Sequence, residues 1–316
     1  MEEQYIQSAQ DQLKLRMVIC EPAGEIKGVV QISHGMGEHV GRYAPFMEFL
    51  SDNGYAAVCH DHRGHGQSVK SQEDLGYFYD RSGGYLVEDL KQVSTYIKKR
   101  FRNIPLFLFA HSMGTLAARC YIQHSDDALS GLILCGPPCR QRFVRGGIAA
   151  LRLFGAVRGQ KYRSTEVQYL MDRMFMKNFK EEQAPAWICS DAAEVERYKK
   201  DPQCGFAFTV NGYLNLLGML RDSYQQERYE VKNSALPVLF LAGEEDPVVG
   251  GKPKLREQVQ FLSAVGYKYI KWKMYEGKRH ELLREDIRQT VYDDVLRWIK
   301  SNVLVVGSAA KDNILY

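Results

Sequence analysis

Residues 106–114 read Leu-Phe-Leu-Phe-Ala-His-Ser-Met-Gly, and a helical pattern follows from residue 115 to residue 124. The apolar run predicts a buried strand, so Ser112 lies in the turn between a strand and a helix. In such a setting a G-x-S-x-G turn lifts a serine hydroxyl above a sheet. Ala110 replaces the first glycine of that pattern. We predict that Ser112 is a nucleophile, and an ordinary capping serine at a helix N-terminus is the alternative.

Short apolar runs alternate with amphipathic, helix-length segments on both sides of this turn. The alternation predicts an α/β protein with a mainly parallel sheet flanked by helices. The predicted strands are 12–20, 29–33, 56–59, 106–109, 132–135, 238–241 and 268–274. The predicted helices are 43–53, 87–100, 115–124, 254–265 and 285–302.

The alternation stops at the Gly-Pro-Pro sequence of residues 136–138. The segment 138–205 contains apolar helical stretches at 148–157 and 167–179 but no clear strand pattern, which predicts an inserted helical cap, or lid. A further helix within 206–229 leads back to the sheet. The predicted domains are a core of residues 1–137 and 206–316 and a cap of residues 138–205.

The overall composition has no strong charge bias. The 316 residues include 42 basic and 38 acidic side chains, a balance too even to favour nucleic acid as a partner. The seven cysteines are spread along the chain without a C-x-x-C pair, so we expect reduced core thiols and no metal site. The N-terminal segment is acidic and polar, and nowhere do 18 uncharged apolar residues run together, which predicts a cytoplasmic protein.

A serine hydroxyl becomes an effective nucleophile when a neighbouring base removes its proton. With this kind of turn, the base is a histidine that comes last in chain order. Seven of the eight histidines lie within the first 124 residues, and only His280 follows the last predicted strand. We therefore predict that His280 is the general base, although a loop histidine taken by itself is more often merely exposed.

The histidine needs a carboxylate that accepts its Nδ1 proton and holds the useful tautomer. The expected position is the loop after the predicted strand 238–241, where three acids compete: Glu244, Glu245 and Asp246. Asp246 is favoured because it lies deeper in the turn, next to a proline. Glu245 is the alternative, and a solvated loop charge is the non-functional interpretation.

Acyl transfer also requires hydrogen-bond donors for the charge that develops on the carbonyl oxygen. In this architecture they are two backbone amides, one directly after the nucleophile and one in the loop after an early strand. The predicted strand 29–33 runs into the sequence His-Gly-Met-Gly-Glu-His of residues 34–39. We assign the N–H groups of Met36 and Met113 to this oxyanion hole, with a simple tight turn as the alternative.

A second glycine-containing segment, residues 61–68, reads Asp-His-Arg-Gly-His-Gly-Gln-Ser. It has neither the G-K-[ST] ending nor the G-x-G-x-x-G spacing of a nucleotide-binding loop. We predict instead that Asp61 and Arg63 brace the neighbouring loops.

Five motifs together resemble the monoacylglycerol lipase and lysophospholipase-like branch of the α/β-hydrolases. They are His34-Gly-Met-Gly-Glu-His, Asp61-His-Arg-Gly-His-Gly-Gln-Ser, His111-Ser-Met-Gly, Gly243-Glu-Glu-Asp and Arg279-His-Glu. The resemblance covers roughly 1–137 and 206–302, and Ala110 departs from it. It implies an α/β-hydrolase fold, Ser112, Asp246 and His280 as the catalytic triad, and the amides of Met36 and Met113 as the oxyanion hole.

The function expected from these residues is hydrolysis of a lipophilic carboxylic ester, such as a monoacylglycerol, a lysophospholipid or a short acyl ester. No cofactor is needed, because the triad and the oxyanion hole supply the chemistry. Adaptable apolar side chains of the cap are suited to an acyl chain. These candidates for substrate binding, which could equally pack the cap onto the core, are Leu170, Met171, Met174, Phe175, Met176 and Phe179.

Two other functions are compatible with the same core. A proline iminopeptidase-like aminopeptidase would need cap carboxylates to hold a substrate ammonium group. The cap offers no acid between residues 137 and 163, but acids later in the cap keep this alternative open: Glu181, Glu182, Asp191, Glu194 and Glu196. A catalytically inactive binding module usually lacks a triad member, and none is missing here.

The first part of the cap combines apolar residues with seven basic ones. The basic residues are Arg140, Arg142, Arg145, Arg152, Arg158, Lys161 and Arg163, and the apolar ones include Phe143, Ile148, Leu151, Leu153 and Phe154. Such a segment can make peripheral contact with an anionic membrane. The alternative is a cap helix that packs on the core and turns a basic face to solvent.

Overall fold

The computed structural model describes residues 1–80, 82–179 and 184–312. In this part of the chain the strands are β1 (Glu2–Gln7), β2 (Lys14–Cys20), β3 (Gly28–Ser33), β4 (Tyr55–His60), β5 (Leu106–His111), β6 (Gly131–Cys135), β7 (Val238–Gly243) and β8 (Ile270–Tyr275). The α-helices are α1 (Ala44–Asp52), α2 (Gly84–Arg100), α3 (Met113–Ser125), α4 (Val144–Arg158), α5 (Thr165–Phe175), α6 (Ala192–Lys200), α7 (Val210–Asp222), α8 (Gly251–Val265) and α9 (Arg288–Asp312).

The strands form one sheet in the order β1-β2-β4-β3-β5-β6-β7-β8. β2 pairs antiparallel with both β1 and β4, whereas the pairs from β4 to β8 are parallel. Parallel strands point the same way, so the loops at their carboxyl ends share one edge of the sheet, where ligands bind in open α/β sheets. The loops after β3, β5, β7 and β8 therefore lie at the same edge.

The sheet is buried on both faces, and its central strands alternate between two apolar clusters. In β5, Leu106, Leu108 and Ala110 belong to one cluster, whereas Phe107 and Phe109 belong to the other. Helices α2, α3 and α8 cover the first face, and α1 and α9 cover the second. A strand that is buried on both faces is a continuous apolar run in the sequence, which is why these strands could be predicted.

The chain between β6 and β7 carries the helices α4 to α7. Within its described residues, the only extended pairing is a single bridge between Arg163 and Thr209. Helix α4 packs along α7, so α7 lies in the same layer as the cap helices. Two basic residues join this layer to the core: Lys161 forms an ion pair with Asp74 at 2.8 Å, and Arg163 donates to the carbonyl oxygen of Glu73 at 2.7 Å.

The sequence prediction missed β1 and misplaced several boundaries. β1 is an edge strand with mostly exposed polar residues, so it shows no apolar alternation. The predicted strand 12–20 begins only at Lys14, because Gln12 has φ +61° in the turn before it. The predicted helix 285–302 begins at Arg288 and continues to Asp312.

The segment after β4 braces the loops around it, as its sequence predicted. The carboxylate of Asp61 accepts hydrogen bonds from the backbone N–H groups of Val40, at 2.8 Å, and Gln67, at 2.9 Å. The buried guanidinium of Arg63 binds Asp89 at 2.7 Å and also contacts Asp11. These contacts connect the loops after β3 and β4 with α2 and the N-terminal turn.

Four histidines are packed together under these loops: His34, His60, His62 and His65. The ring centroids of His34 and His62 are 4.3 Å apart, and those of His60 and His62 are 4.6 Å apart. Burial, and next the neighbouring His34, lower the pKa of His60 and of His65 to about 3. Neither ring nitrogen of His60 has a hydrogen-bond partner among the described residues. These imidazoles are therefore neutral in the folded protein at neutral pH.

Candidate active site

Ser112 stands in a strained turn between β5 and α3. Its backbone has φ +49° and ψ −118°, a conformation that a residue with a side chain rarely adopts. Its N–H donates to the carbonyl oxygen of Cys135 at 3.0 Å, which holds the turn against β6. A Cβ atom at Gly114 would lie 2.2 Å from the carbonyl oxygen of Ser33, so only glycine permits this close approach. Ala110 lies in β5 before the turn, and alanine there leaves the strained geometry intact.

His280 and Asp246 complete a hydrogen-bonded chain with this serine. The Nε2 atom of His280 is 2.8 Å from Oγ of Ser112, and its Nδ1 atom is 2.8 Å from Oδ2 of Asp246. Both His280 and Asp246 are buried, and Ser112 is only 9% exposed. With the carboxylate accepting from Nδ1–H, Nε2 is left to accept the serine proton.

The three acids in the loop after β7 have different surroundings in the structure. The other oxygen of Asp246 accepts from the N–H of Val248 at 2.8 Å, which orients the carboxylate toward the histidine. Glu244 and Glu245 are exposed, and Glu245 lies 3.6 Å from the guanidinium of Arg279. Only Asp246 therefore contacts His280.

The loop after β3 closes over the nucleophile from the other side. A Cβ atom at Gly35 would lie 3.1 Å from Cβ of Ser112, so a side chain there would push the loop away. Met36 and Met113 both line the cavity at Ser112. Within the described residues, neither of their N–H groups is hydrogen-bonded. The amide of Met113 also lies at the positive N-terminal end of α3, which favours negative charge.

A buried pair that the sequence did not reveal supports this loop. The carboxylate of Glu38 is 3.0 Å from Nδ1 of His111 and accepts from Tyr43 Oη at 2.7 Å. Burial raises the pKa of Glu38, but the hydrogen bond and charge of His111, with Arg42 and His34, hold it well below its usual range. Burial lowers the pKa of His111, but Glu38 outweighs this and raises it overall. The hydrogen bond of this pair therefore connects the loop after β3 with the end of β5, next to Ser112.

A cavity of about 260 Å³ opens above Ser112 and His280. Its walls are mostly apolar and come from the cap and from α7: Leu151, Val167, Met171, Met174, Phe175, Trp187, Ile188, Phe206, Tyr213, Leu216, Leu217 and Leu220. The indole ring of Trp187 lies 5.3 Å from the ring of His280. An acyl chain would thus meet an apolar surface next to the catalytic groups.

The structure separates the predicted substrate-binding residues into two groups. Met171, Met174 and Phe175 line the cavity. Leu170 does not, because it lies on the outer side of α5 and is 66% exposed. Phe179 is buried outside the cavity, where its ring contacts the guanidinium of Arg279 at 4.4 Å. The prediction for Leu170 and Phe179 was therefore wrong.

One acid of the cap lies in the cavity wall, although the sequence did not single it out. Asp172 accepts a hydrogen bond from Gln168 at 3.0 Å, and Gln168 in turn accepts from Tyr213 Oη at 2.9 Å. Burial raises the pKa of the Asp172 carboxyl group. The apolar residues around it in α5 gave no signal of this placement.

The structure shows the state of the cysteines and the groups that could hold a metal ion. All seven cysteines are buried free thiols. In the part of the chain that the structure describes, only His39, Asp201 and Cys204 place ligand atoms within 4.8 Å of one another. His39 and Asp201 already hydrogen-bond each other at 2.9 Å, a contact that joins the cap to the loop after β3.

Comparison with protein families shows where the chain belongs. The family described as "Serine aminopeptidase, S33" matches residues 24–287. The chain belongs to this family. The matched residues include Ser112, Asp246 and His280 and six of the eight described strands, β3 to β8.

Relatives and solved structures narrow this assignment. The monoglyceride lipase of Mus musculus is 25% identical over 297 residues, which cover 91% of this chain and 87% of that protein. The monoacylglycerol lipase of Mycolicibacterium smegmatis is 26% identical over 286 residues, which cover 89% of this chain and 91% of that protein. A highly thermostable carboxyl esterase from Bacillus coagulans, in complex with glycerol, superimposes with a TM-score of 0.88 at 27% identity and covers 96% of this chain and 98% of that chain. The predicted α/β-hydrolase fold and the resemblance to the monoacylglycerol lipase branch are confirmed.

Proposed function

We propose that this protein hydrolyses carboxylic esters of lipophilic substrates through an acyl-enzyme on Ser112. The observation that carries the proposal is the hydrogen-bonded chain from Ser112 through His280 to Asp246, at the floor of an apolar cavity. Relatives named as lipases and a similar structure named as a carboxyl esterase support the same chemistry. The protein is accordingly a carboxylic ester hydrolase.

The chemistry follows from the positions of these groups. His280 Nε2 takes the proton from Ser112 Oγ as the oxygen attacks the ester carbonyl carbon. The same proton then goes to the leaving alcohol, and a water molecule activated by His280 releases the acid from the serine. Asp246 accepts a hydrogen bond from Nδ1–H throughout and stabilises the imidazolium that forms in each step.

The oxyanion of each tetrahedral intermediate would be bound by the N–H groups of Met36 and Met113. Both amides are free of other hydrogen bonds within the described residues and therefore available to a substrate oxygen. Donors of this kind typically contribute about 10²- to 10³-fold each to the rate. The hydrogen bond between Glu38 and His111 keeps the loop that carries Met36 close to the serine.

The acids that the sequence suggested for an aminopeptidase give that alternative little support, despite the family's description. Asp172 does line the cavity, but burial raises the pKa of its carboxyl group and so disfavours the charged form that would bind an ammonium group. Of the acids considered for it, Glu181 and Glu182 lie outside the described residues. The other three are engaged away from the cavity: Asp191 caps α6, Glu194 pairs with Arg197, and Glu196 pairs with Lys199. The lipase names of the relatives point the same way.

The cap supports a second part of the proposal, peripheral contact with a lipid surface. No helix among the described residues has the length and apolar character needed to cross a bilayer. The outer side of the cap nevertheless carries five large, exposed apolar residues: Phe143, Leu153, Val157, Tyr169 and Leu170. Arg152 and Arg158 are exposed on the same helix as Leu153 and Val157. An apolar surface with basic neighbours favours an anionic membrane.

A substrate panel tests the proposed reaction. Purified protein should hydrolyse p-nitrophenyl octanoate and 1-octanoylglycerol, and it should leave prolyl and other aminoacyl amides intact. A fluorophosphonate probe should label Ser112. Cleavage of the aminoacyl amides without ester hydrolysis would replace the proposal with the aminopeptidase alternative.

A further inference from the structure

A second cavity, of about 590 Å³, lies where the cap meets the core. It is bounded by the beginning of α4, the end of α7 and the first turns of α8. Its charged lining residues are Arg140, Arg142, Arg145, Arg221, Lys254 and Glu257. We refer to this cavity as the basic groove.

The basic groove adjoins the substrate cavity. Gln141 and Leu220 line both of them, so the two cavities are direct neighbours. Pro138 and Cys139, directly before the arginines in sequence, line the substrate cavity near Ser112. A single molecule could therefore place an apolar part in one space and a polar part in the other.

The charges of the groove are not balanced within the protein. Lys254 pairs with Glu257 at 2.9 Å, and Arg221 pairs with Asp222. Among the described residues, no carboxylate lies within ion-pair distance of Arg140, Arg142 or Arg145. Like charges held near one another raise the local potential and attract an anion.

The position of these arginines at a helix start strengthens the field. α4 begins at Val144, two residues after Arg142, and its first turn contains Arg145 and no acidic residue. Helix N-termini normally carry acidic residues, because the macrodipole places positive partial charge there. Arginine at this position costs stability unless an anion binds, and its planar group is suited to two-point contact with a phosphate.

We infer that the basic groove binds a phosphate group of the ester substrate whose acyl chain occupies the adjoining cavity. The substrate class is a lysophospholipid with an exposed phosphate monoester, that is, an acylated glycerol phosphate. An uncharged monoacylglycerol would leave the three arginines without a partner. The inference rests on the proposed ester hydrolysis and specifies the substrate of that site.

Two short substrates that differ only in the phosphate test the inference. 1-Octanoylglycerol 3-phosphate and 1-octanoylglycerol are compared as dissolved monomers at low ionic strength. We expect kcat/KM to be at least about tenfold higher for the phosphate, as for charge-assisted hydrogen bonds that one substrate makes and the other lacks. The ratio should fall as salt is added, because the groove is open to solvent.

Substitutions in the basic groove test whether its arginines cause the difference in kcat/KM between the two substrates. Arg142→Gln and Arg145→Gln should each lower the phosphate preference about threefold, and the double variant should bring it close to one. Arg173→Gln is the matched control, because Arg173 is an exposed arginine of the cap that lines neither cavity. The midpoint temperature of thermal unfolding should stay unchanged or rise in the Arg142 and Arg145 variants, since each variant relieves repulsion between neighbouring positive charges. A structural role for these arginines would shift it downward instead.

The other outcomes separate this inference from the proposed ester hydrolysis, and a phosphate on a dissolved substrate from a phosphate in a membrane. Equal kcat/KM for both octanoyl substrates, with p-nitrophenyl octanoate still hydrolysed, would overturn the inference and leave the ester hydrolase intact. Failure to hydrolyse any of the three would overturn both. If Arg142→Gln weakens only binding to vesicles that contain phosphatidic acid and leaves the ratio for dissolved substrates unchanged, the groove binds membrane headgroups and the substrate assignment is wrong.

Discussion

Helices α3 and α5 both contribute to the substrate cavity, but they are held in different ways. Nearly every residue of α3 is buried, from Met113 to Gln123, and its first residue follows the strained Ser112. By contrast, α5 has no buried residue, although Met171 and Phe175 face the cavity. Dense packing keeps the catalytic groups within the tolerances of the reaction, whereas a lightly packed wall can adapt to different substrates. We expect substitutions in the core to remove catalysis or stability and those in the cap to change selectivity.

The largest expected effect comes from Ser112→Ala. Removing the nucleophile should reduce kcat/KM for p-nitrophenyl octanoate by about 10⁵-fold or more, as in other enzymes whose triad acts as a unit. The change removes a single side-chain oxygen from a residue that is 9% exposed, so the midpoint temperature of thermal unfolding should hardly change. Steady-state kinetics and circular dichroism measure the two effects. Activity within tenfold of the wild type would exclude Ser112 as the nucleophile.

Adjacent acids in the loop after β7 provide the next test. Asp246→Asn should lower kcat by about 10⁴-fold, because the histidine would no longer be held in the right tautomer. The matched control Glu245→Gln removes an exposed charge that faces Arg279 and not His280, and its kcat should stay near the wild-type value. Equal losses in the two variants would mean that the loop acts as a whole and that Asp246 has no special role.

The buried histidines predict how the stability of the core depends on pH. The unfolded chain takes up protons near the ordinary histidine pKa of about 6.5, whereas folded His60 and His65 do so only at about 3. Below pH 6.5 the unfolded state binds more protons, so the free energy of unfolding should fall by about 1.4 kcal/mol per pH unit for each such histidine. This stabilisation is fully present above pH 6.5 and is lost as the pH falls toward 3.

His60→Leu should make that decline less steep by about 1 kcal/mol per pH unit, because it removes one of the groups that bind a proton only in the unfolded state. Leucine breaks no hydrogen bond there, since neither ring nitrogen of His60 has a partner among the described residues. Urea unfolding at pH 7.0, 6.0 and 5.0 measures the slope. The exposed His124 supplies the control His124→Gln, which should keep the wild-type slope. Identical slopes in all three proteins would show that the buried cluster does not set the acid stability.

The members of the candidate triad could be proposed from the sequence because each follows a strand of the sheet and depends on local backbone chemistry. Ser112 needs small neighbours, His280 comes last in chain order, and Asp246 stands in the loop after β7. The cavity wall could not be predicted as well. In α5 the apolar residues cover the outer as well as the inner side, so periodicity alone did not separate Leu170 from Met171. Contacts between distant segments, such as Glu38 with His111, have no periodic signal at all.

Neighbouring residues in α5 test that division between the two sides of the cap. Met171→Ala should raise KM for a dissolved octanoyl ester by about five- to tenfold, because the cavity loses apolar contact with the acyl chain. Leu170→Ala should leave that KM unchanged, since the side chain points to solvent. A shorter ester, p-nitrophenyl acetate, should respond weakly to both. A larger effect from Leu170 than from Met171 would mean that the acyl chain follows the outer side.

The smallest effect on catalysis is expected at the outer side of the cap, where a membrane would be contacted. Vesicles with anionic lipid should retain the wild-type protein at low salt and release it as salt is added, because basic side chains attract the surface over only about 10 Å at 0.1 M salt. Arg152→Gln with Arg158→Gln should weaken retention by roughly 2 kcal/mol, about 1 kcal/mol for each positive charge removed near the surface. Leu153→Ser with Val157→Ser removes apolar area instead and should weaken retention at every salt concentration. Hydrolysis of a dissolved acetate ester should be the same in both double variants. If wild-type protein is not retained at low salt, the exposed apolar residues of the cap serve another purpose and substrate reaches Ser112 from solution.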